Sequence, residues 1–294
     1  FGVFRFSFDG SLISTISVEG RAEGEYLIPT DIAYSRKDNV LYIADIAKGI
    51  MKFSSDGAYL STVSSTTNYK NRQFVISDSG TIIENVLNVT GREQDAIVEL
   101  SQEGDTLNYV PNKFMFDCVT PVAIPYHHSL RKYADEVLYN PACCDTIYSY
   151  HSGQLTPKYS FSFPHHVTKE DLRDFDSNIS DTQFLMEYAE NGKNLYLSIF
   201  DGSWAYKHYV LRKSDGNIFR GDFRLSDSFN TEFSPRWQSE GWLIDVFDPS
   251  TINYAYSKDI TEDARQKAYS YLHSVGVEGI TMESAPIIML TRAK

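Results

Sequence analysis

Apolar and polar positions in residues 20–63, GRAEGEYLIPTDIAYSRKDNVLYIADIAKGIMKFSSDGAYLSTV, fall into four short apolar runs separated by polar breaks. The runs, at about 31–35, 39–45, 49–54 and 58–64, have the length of strands, and RKDN, IAKG and SSDG between them carry turn chemistry. Asp56-Gly57 suits a tight hairpin, because glycine accepts the positive φ that a twisted two-strand connection requires. The pattern predicts a four-stranded antiparallel meander. VLYIA (40–44), TII (81–83), WLI (242–244) and PIIML (286–290) are apolar at consecutive positions, which predicts strands covered on both faces. A lone meander cannot cover both its faces, so it needs neighbours of its own kind.

The chain supplies them. FRFSFDGSLISTI (4–16) returns as MKFSSDGAYLSTV (51–63) and, more worn, as VELSQEGDTLNYV (98–110), a step of 47 residues each time. Turn glycines recur at Gly10, Gly57, Gly104, Gly153 and Gly216. A period in the 40s is the signature of a propeller or a solenoid. Further units are traced at about 74–110, 121–162, 183–222 and 233–292, while residues 1–18 hold two strands only. The expected fold is all-β: a six-bladed β-propeller with four-stranded antiparallel blades, one incomplete at the N-terminus. A five-bladed ring is the structural alternative. The two strands missing from the first unit are expected before residue 1 or from the C-terminal segment.

Two helices interrupt the pattern. DITEDARQKAYSYLHSVG (259–276) opens on a capping box of Asp259 and Glu262 and stops near Gly276, predicting a C-terminal helix inserted at about 259–275 and packed on the last blade. TKEDLRDF (168–175) predicts a shorter one capped by Thr168. No linker divides the chain, so residues 1–294 read as one domain.

Composition sharpens this. Twenty Tyr and 18 Phe favour pleated surfaces. A net charge of −12 and a pI near 5.0 argue against a nucleic-acid partner, which needs a basic footprint. No run approaches the roughly 20 apolar residues of a membrane-spanning helix. The chain opens at Phe1 without Met, as expected of a processed product. Cys118, Cys143 and Cys144 fit neither a disulfide framework nor a zinc spacing; a bridge from Cys118 to either neighbour is open, inert thiols are the plainer reading.

Residues 20–63 resemble an NHL-type propeller repeat, carried by GRAEGEYLIPTDIAY, LYIAD and IMKFSSDGAYLSTV, with Pro29 opening the inner strand and Asp45 at a strand end. DTIYSYHSGQLTPKYSFSF (145–163) and ITMESAPIIMLTRAK (280–294) are similar to a narrower group, the uncharacterised six-bladed propeller proteins found as exported lipoproteins of gut-dwelling anaerobic bacteria. That resemblance implies export and attachment to the cell envelope through a lipidated N-terminal Cys in a segment absent from this chain. It also implies additional N-terminal strands. It carries over no catalytic residue.

Candidate chemistry is sparse. His127-His128 and His165-His166 are adjacent pairs, and neighbours on a strand point to opposite faces, so each pair offers a metal one ligand at most unless it lies in a loop. A zinc site would use His127 or His128; a lactonase-like calcium site needs Glu, Asn and Asp at the ends of several inner strands, which offer Asp31, Glu187 and Arg236, Asp31 belonging to the repeat and equally suited to capping a turn. No G-x-S-x-G, no phosphate-cradling glycine loop and no activated Cys occurs. DGSWAYKHY (201–209) and SPRWQSEGW (234–242) set Trp204, Tyr206, Trp237 and Trp242 beside turn residues, where flat rings stack on sugars or hold peptide side chains, or else fill blade-to-blade cores. Two Asn-x-Ser/Thr sequons, at Asn88 and Asn178, and the short Asp-Thr-Leu and Asp-Thr-Ile patterns at 105 and 145 carry little specificity.

The sequence therefore predicts a monomeric, non-enzymatic, envelope-associated binding or scaffolding propeller without cofactor. A glycan or a peptide or protein ligand would sit at the central channel mouth near Trp204, Tyr206, Trp237, Arg236 and Glu187. The alternative is a metal-dependent hydrolase or lyase, lactonase-like or amidating-lyase-like, with calcium or zinc held in the same channel.

Overall fold

The computed structural model describes residues 2–64, 73–88, 90–119, 129–202, 206–221, 224–226, 229–232, 235, 237–239, 242–247, 270, 273 and 287–292. The chain forms two compact units, Phe1–Ile179 and Ser180–Lys294.

The first unit opens on a hairpin, β1 (Val3–Phe6) and β2 (Leu12–Ile16), followed by three four-stranded meanders. These are β3 (Pro29–Ser35), β4 (Val40–Asp45), β5 (Gly49–Ser54) and β6 (Tyr59–Val63); then β7 (Gln73–Ile76), β8 (Ile82–Asn85), β9 (Asp95–Leu100) and β10 (Thr106–Pro111); then β11 (Leu130–Tyr133), β12 (Glu136–Tyr139), β13 (Thr146–His151) and β14 (Gln154–Ser160). All pairings are antiparallel between sequence neighbours. The four runs predicted within residues 20–63 are the four strands β3–β6, each end within two residues of its expected place.

Repetition extends to individual hydrogen bonds. At Ser54 the backbone amide donates to the Ala58 carbonyl (2.8 Å), and the Gly57 amide donates back to the Ser54 carbonyl (3.0 Å). Ser7 with Ser11 and Gly10, and Ser101 with Asp105 and Gly104, make the same pair of bonds. So do Ser77 with Thr81 and Gly80, at the hairpin between β7 and β8, which lies outside the series of turn glycines read from the sequence. The tip glycines have φ between +85° and +97°, the region a Cβ disfavours.

Consecutive sheets stack face to face, and their cores lie between them. Ile16 of β2 packs with Ile43, Met51 and Phe53 of the β3–β6 sheet, together with buried Tyr26. The opposite face of that sheet, through Tyr42, Ala44, Ile50 and Val63, meets Phe74, Ile76, Ile82, Val98 and Leu100 of the next. Val75, Ile83, Ala96, Ile97 and Val110 then meet Leu130, Val137, Tyr139 and Tyr150 of the third. Strands β7 and β8 are buried at every position, their polar residues Gln73, Glu84 and Asn85 included. The first strands β3, β7 and β11 touch in succession. This is the blade-on-blade packing of a propeller-like fold.

A short helical segment closes the unit: α1 (Lys169–Arg173), then α2 (Phe175–Asn178). Thr168 caps α1 in a capping box with Asp171, as its sequence predicts.

The second unit holds a further four-stranded meander, β15 (Phe184–Glu190), β16 (Asn194–Phe200), β17 (Tyr206–Arg212) and β18 (Ile218–Arg220). It also holds a hairpin of β19 (Arg224–Ser226) and β20 (Phe229–Glu232), and a three-stranded sheet of β21 (Trp237–Ser239), β22 (Trp242–Phe247) and β23 (Ile287–Arg292). Strand β21 touches β15, again first strand to first strand. Of the helix expected at 259–276, Ser270 and His273 are helical and the rest lies outside the described residues.

Candidate functional site: the polar seam of the first strands

A first strand has one edge paired with the second strand of its sheet. Its other edge bears backbone groups that still need partners. In the first unit polar side chains from the neighbouring first strand supply them. The Asp31 carboxylate on β3 accepts the Phe74 amide of β7 at 3.0 Å, and its own Ile32 amide at 2.8 Å. Gln73 on β7 does the same one sheet further on, its Oε1 accepting the Ser129 amide beside β11 at 2.9 Å. Asp31 and Gln73 occupy equivalent places, each four residues before the serine (Ser35, Ser77) that ends its strand region. Buried Asn85 on β8 donates to the same Gln73 oxygen at 3.4 Å. Buried Glu84 and Arg131 lie on β8 and β11.

The seam is electrostatically loaded. Burial pushes the Asp31 carboxyl up to about 6, against the pull of the Phe74 and Ile32 amides and of the Arg131 charge. The residue as a whole is half-buried, with its carboxyl turned to the neighbouring first strand.

The second unit uses the same device, with the Gln238 oxygen of β21 accepting the Glu190 amide that ends β15. Glu190 is buried and pairs with Lys213 at 2.5 Å. Of the residues expected to bind ligand, Glu187 is half-buried on β15, opposite Ser198 of β16, which in turn stands opposite His208 of β17. The Ser198 hydroxyl and His208 Nδ1 are 3.0 Å apart and buried. That row was not legible in the sequence, because it joins three strands through register alone. Tyr206 lies at the start of β17, exposed and edge-on to Phe200. Trp237 and Trp242 are half-buried at the starts of β21 and β22. Trp204, Arg236, His127 and His128 lie outside the described residues. Glu187 and Tyr206 thus share one sheet without converging on one point.

Other candidates resolve into structure. Asp45, fully buried at the end of β4, accepts the amides of Leu27 and Ile28 (2.7 Å each), Ala47 (2.8 Å) and Lys48 (2.9 Å), tying the crossing into the sheet to the turn that leaves it. Asn140, after β12, plays the mirrored part by donating to the Cys144 and Thr146 carbonyls. The three cysteines are free thiols, so the Cys118 bridge does not form. Burial drives the Cys143 thiol far up and the Cys144 thiol to about 11. His165 and His166 are exposed in the turn before α1. Asn88 of the first sequon donates to the Phe114 carbonyl at 3.0 Å. Among the described residues no group of three or more His, Cys, Asp or Glu is placed to hold a metal, and no helix is long and apolar enough to cross a membrane.

Comparison with known proteins places the chain. Residues 2–292 match the domain of unknown function DUF4934, and the chain belongs to that family. A protein of Bacteroides fragilis NCTC 9343 described as exported is similar in structure, with TM-score 0.71 and 13% identity over 100% of this chain and 85% of that one. A member of the DUF4221 family from Bacteroides vulgatus ATCC 8482 is similar with TM-score 0.50 and 10% identity over 76% of this chain and 75% of that one. At these identities the likeness is one of fold. No curated protein matches the chain.

Proposed function

We propose that this DUF4934 protein is an exported, envelope-associated binding or scaffolding propeller. Its blades number six, their ring encloses a channel, and a glycan or peptide binds where the first strands present polar groups. The observation that carries this reading is the seam itself. The cores between the sheets of the first unit are apolar, with polar contacts such as Lys52–Gln102 and Lys132–Asp78 at their turns, while β3, β7 and β11 contribute Asp31, Gln73 and Arg131. A carboxylate with a guanidinium charge nearby suits hydroxyl-rich or amide-rich ligands. Export is consistent with the description of the similar Bacteroides fragilis protein. Lipid anchoring rests on the sequence resemblance.

The test is a glycan array and a peptide array probed with the purified protein, and hits titrated against Asp31→Asn. We expect at least one hit whose affinity falls roughly tenfold in the variant, the loss of one charge-assisted hydrogen bond. Blank arrays together with a stoichiometric calcium or zinc ion and a positive hydrolase screen would establish the enzymatic reading instead.

A further inference from the structure

Lys52 and Gln102 meet between the β3–β6 sheet and the next, and one of their two contacts goes beyond what the repeat requires. Lys52 of β5 donates to the backbone carbonyl of Gln102, in the hairpin between β9 and β10, at 2.6 Å. That contact belongs to the repeat. One 47-residue step earlier Arg5 of β1 donates to the Ser55 carbonyl, in the hairpin between β5 and β6, at 2.7 Å. A cation on the third strand of one sheet thus latches the hairpin of the next. Lys52 makes a second contact that Arg5 cannot, because Ser55 has no side-chain carbonyl: its Nζ also donates to Gln102 Oε1 at 3.2 Å.

The rest of the Gln102 carboxamide is held as well. Tyr42 of β4, fully buried and opposite Lys52 in register, donates its hydroxyl to the same Oε1 at 3.0 Å. Gln102 Nε2 donates to the Gly80 carbonyl at 2.9 Å and to Asp38 Oδ2 at 3.5 Å. Gly80 makes room for it, since a Cβ there would stand 2.8 Å from Nε2. Ser35 Oγ fixes Asp38 by donating to Oδ2 at 2.9 Å. Burial lowers the Lys52 ammonium below its ordinary value, against the pull of Glu103 and Asp38, and raises the Tyr42 hydroxyl, which stays protonated. An amine that sheds its proton, a carbonyl polarised by a hydroxyl donor and a leaving nitrogen beside a carboxylate are the parts of an acyl transfer.

We propose that Lys52 and Gln102 join in an intramolecular isopeptide bond, a covalent modification that ties the β3–β6 sheet to the β7–β10 sheet. The deprotonated Nζ attacks Gln102 Cδ, one bond beyond the oxygen it touches, and the Tyr42 hydroxyl holds the negative charge that develops on Oε1. Asp38 takes the proton that Nζ then sheds and passes it to Nε2. The Cδ–Nε2 bond breaks with its electron pair on nitrogen, and ammonia leaves. Nothing is oxidised or reduced, and no co-reactant is consumed. The product is an amide that reductant cannot open, in a chain whose three cysteines are free thiols. Every participating residue lies in the first unit, and the bond is independent of what the polar seam binds.

The experiment is mass spectrometry of the folded chain after incubation at pH 8. Its intact mass is expected to fall one ammonia short of the encoded mass. A tryptic digest should contain a branched peptide joining Lys52 to Gln102, uncut after Lys52. Lys52→Arg keeps the latch to the backbone carbonyl and Gln102→Met keeps the length of the side chain, and both should retain the encoded mass. Tyr42→Phe should slow ammonia loss by about 100-fold, as removal of an oxyanion donor does, and Asp38→Asn should slow it too. Chain kept unfolded in urea should form no branched peptide, because folding alone brings the two side chains together. A folded native chain that keeps its encoded mass overturns the proposal, as does ammonia loss that persists in Lys52→Arg. Ammonia loss without the branched peptide, the mark of a cyclised asparagine such as Asn191 before Gly192, overturns it equally.

Discussion

The Asp31 carboxylate on one first strand accepts the Phe74 amide on the next at 3.0 Å, so a titratable side chain substitutes for a missing strand pairing. Burial raises its carboxyl from 3.8 to about 6. The native state then holds this proton more tightly than the unfolded chain does. The resulting stabilisation is complete below the unfolded value near 3.8 and is lost as pH rises through about 6. Asp31→Asn removes the titration and keeps an acceptor. Between pH 4 and pH 7, chemical denaturation should show the native protein losing about 1–3 kcal/mol relative to this variant. A gap that stays constant with pH would contradict the assignment.

Asp45 satisfies four backbone amides with one buried carboxylate. Asp45→Ala leaves all four without an acceptor and should cost about 3–4 kcal/mol in urea unfolding. Asp45→Asn should recover little of this, because its amide nitrogen would face donors.

The tip glycines differ in what surrounds them. A Cβ on Gly10 would meet nothing within 4 Å, one on Gly57 would lie 3.0 Å from the flexible end of Ile16, and one on Gly104 would lie 3.0 Å from both the Ser64 carbonyl and Val63. Alanine at Gly10 should cost about 1 kcal/mol, from the positive φ alone. Gly57→Ala should cost about 1–2 kcal/mol and Gly104→Ala about 2–3, since a backbone oxygen cannot turn aside. Thermal melts of the three variants give the order directly.

A buried thiol at Cys143 and a half-buried one at Cys144, both free, predict a simple labelling pattern. At pH 8 Cys143 and Cys144 should resist a thiol reagent in the folded protein and react once it is unfolded, because burial keeps both protonated. The intact mass should not change with reductant. A two-dalton shift would reveal a bridge.

Much of this architecture is written locally. The strands β3–β6, the cap at Thr168 and the tip glycines follow from turn residues and apolar runs a few positions long. The turn at Gly80 is not legible from the period, because Ser77-Asp78-Ser79-Gly80 falls outside the 47-residue step, although its hydrogen bonds are the same. The candidate site was less legible. Asp31 reads in sequence as a strand-end carboxylate, but its partner Phe74 is 43 residues away. Glu187, Ser198 and His208 form a row only because two registers place them so. Trp237 and Tyr206, alike in offering a flat ring, stand on different sheets.

The sequence by itself determined the strands, their antiparallel order and the period at which they recur. Each of these depends on neighbours a few residues apart, which the chain brings together without help. Only tertiary structure decided which repeats are covered and which are open, since Phe4 and Met51 look alike in sequence and differ in what stands beside them. Burial, and with it the raised Asp31 carboxyl, belongs to the neighbour supplied and not to the residue.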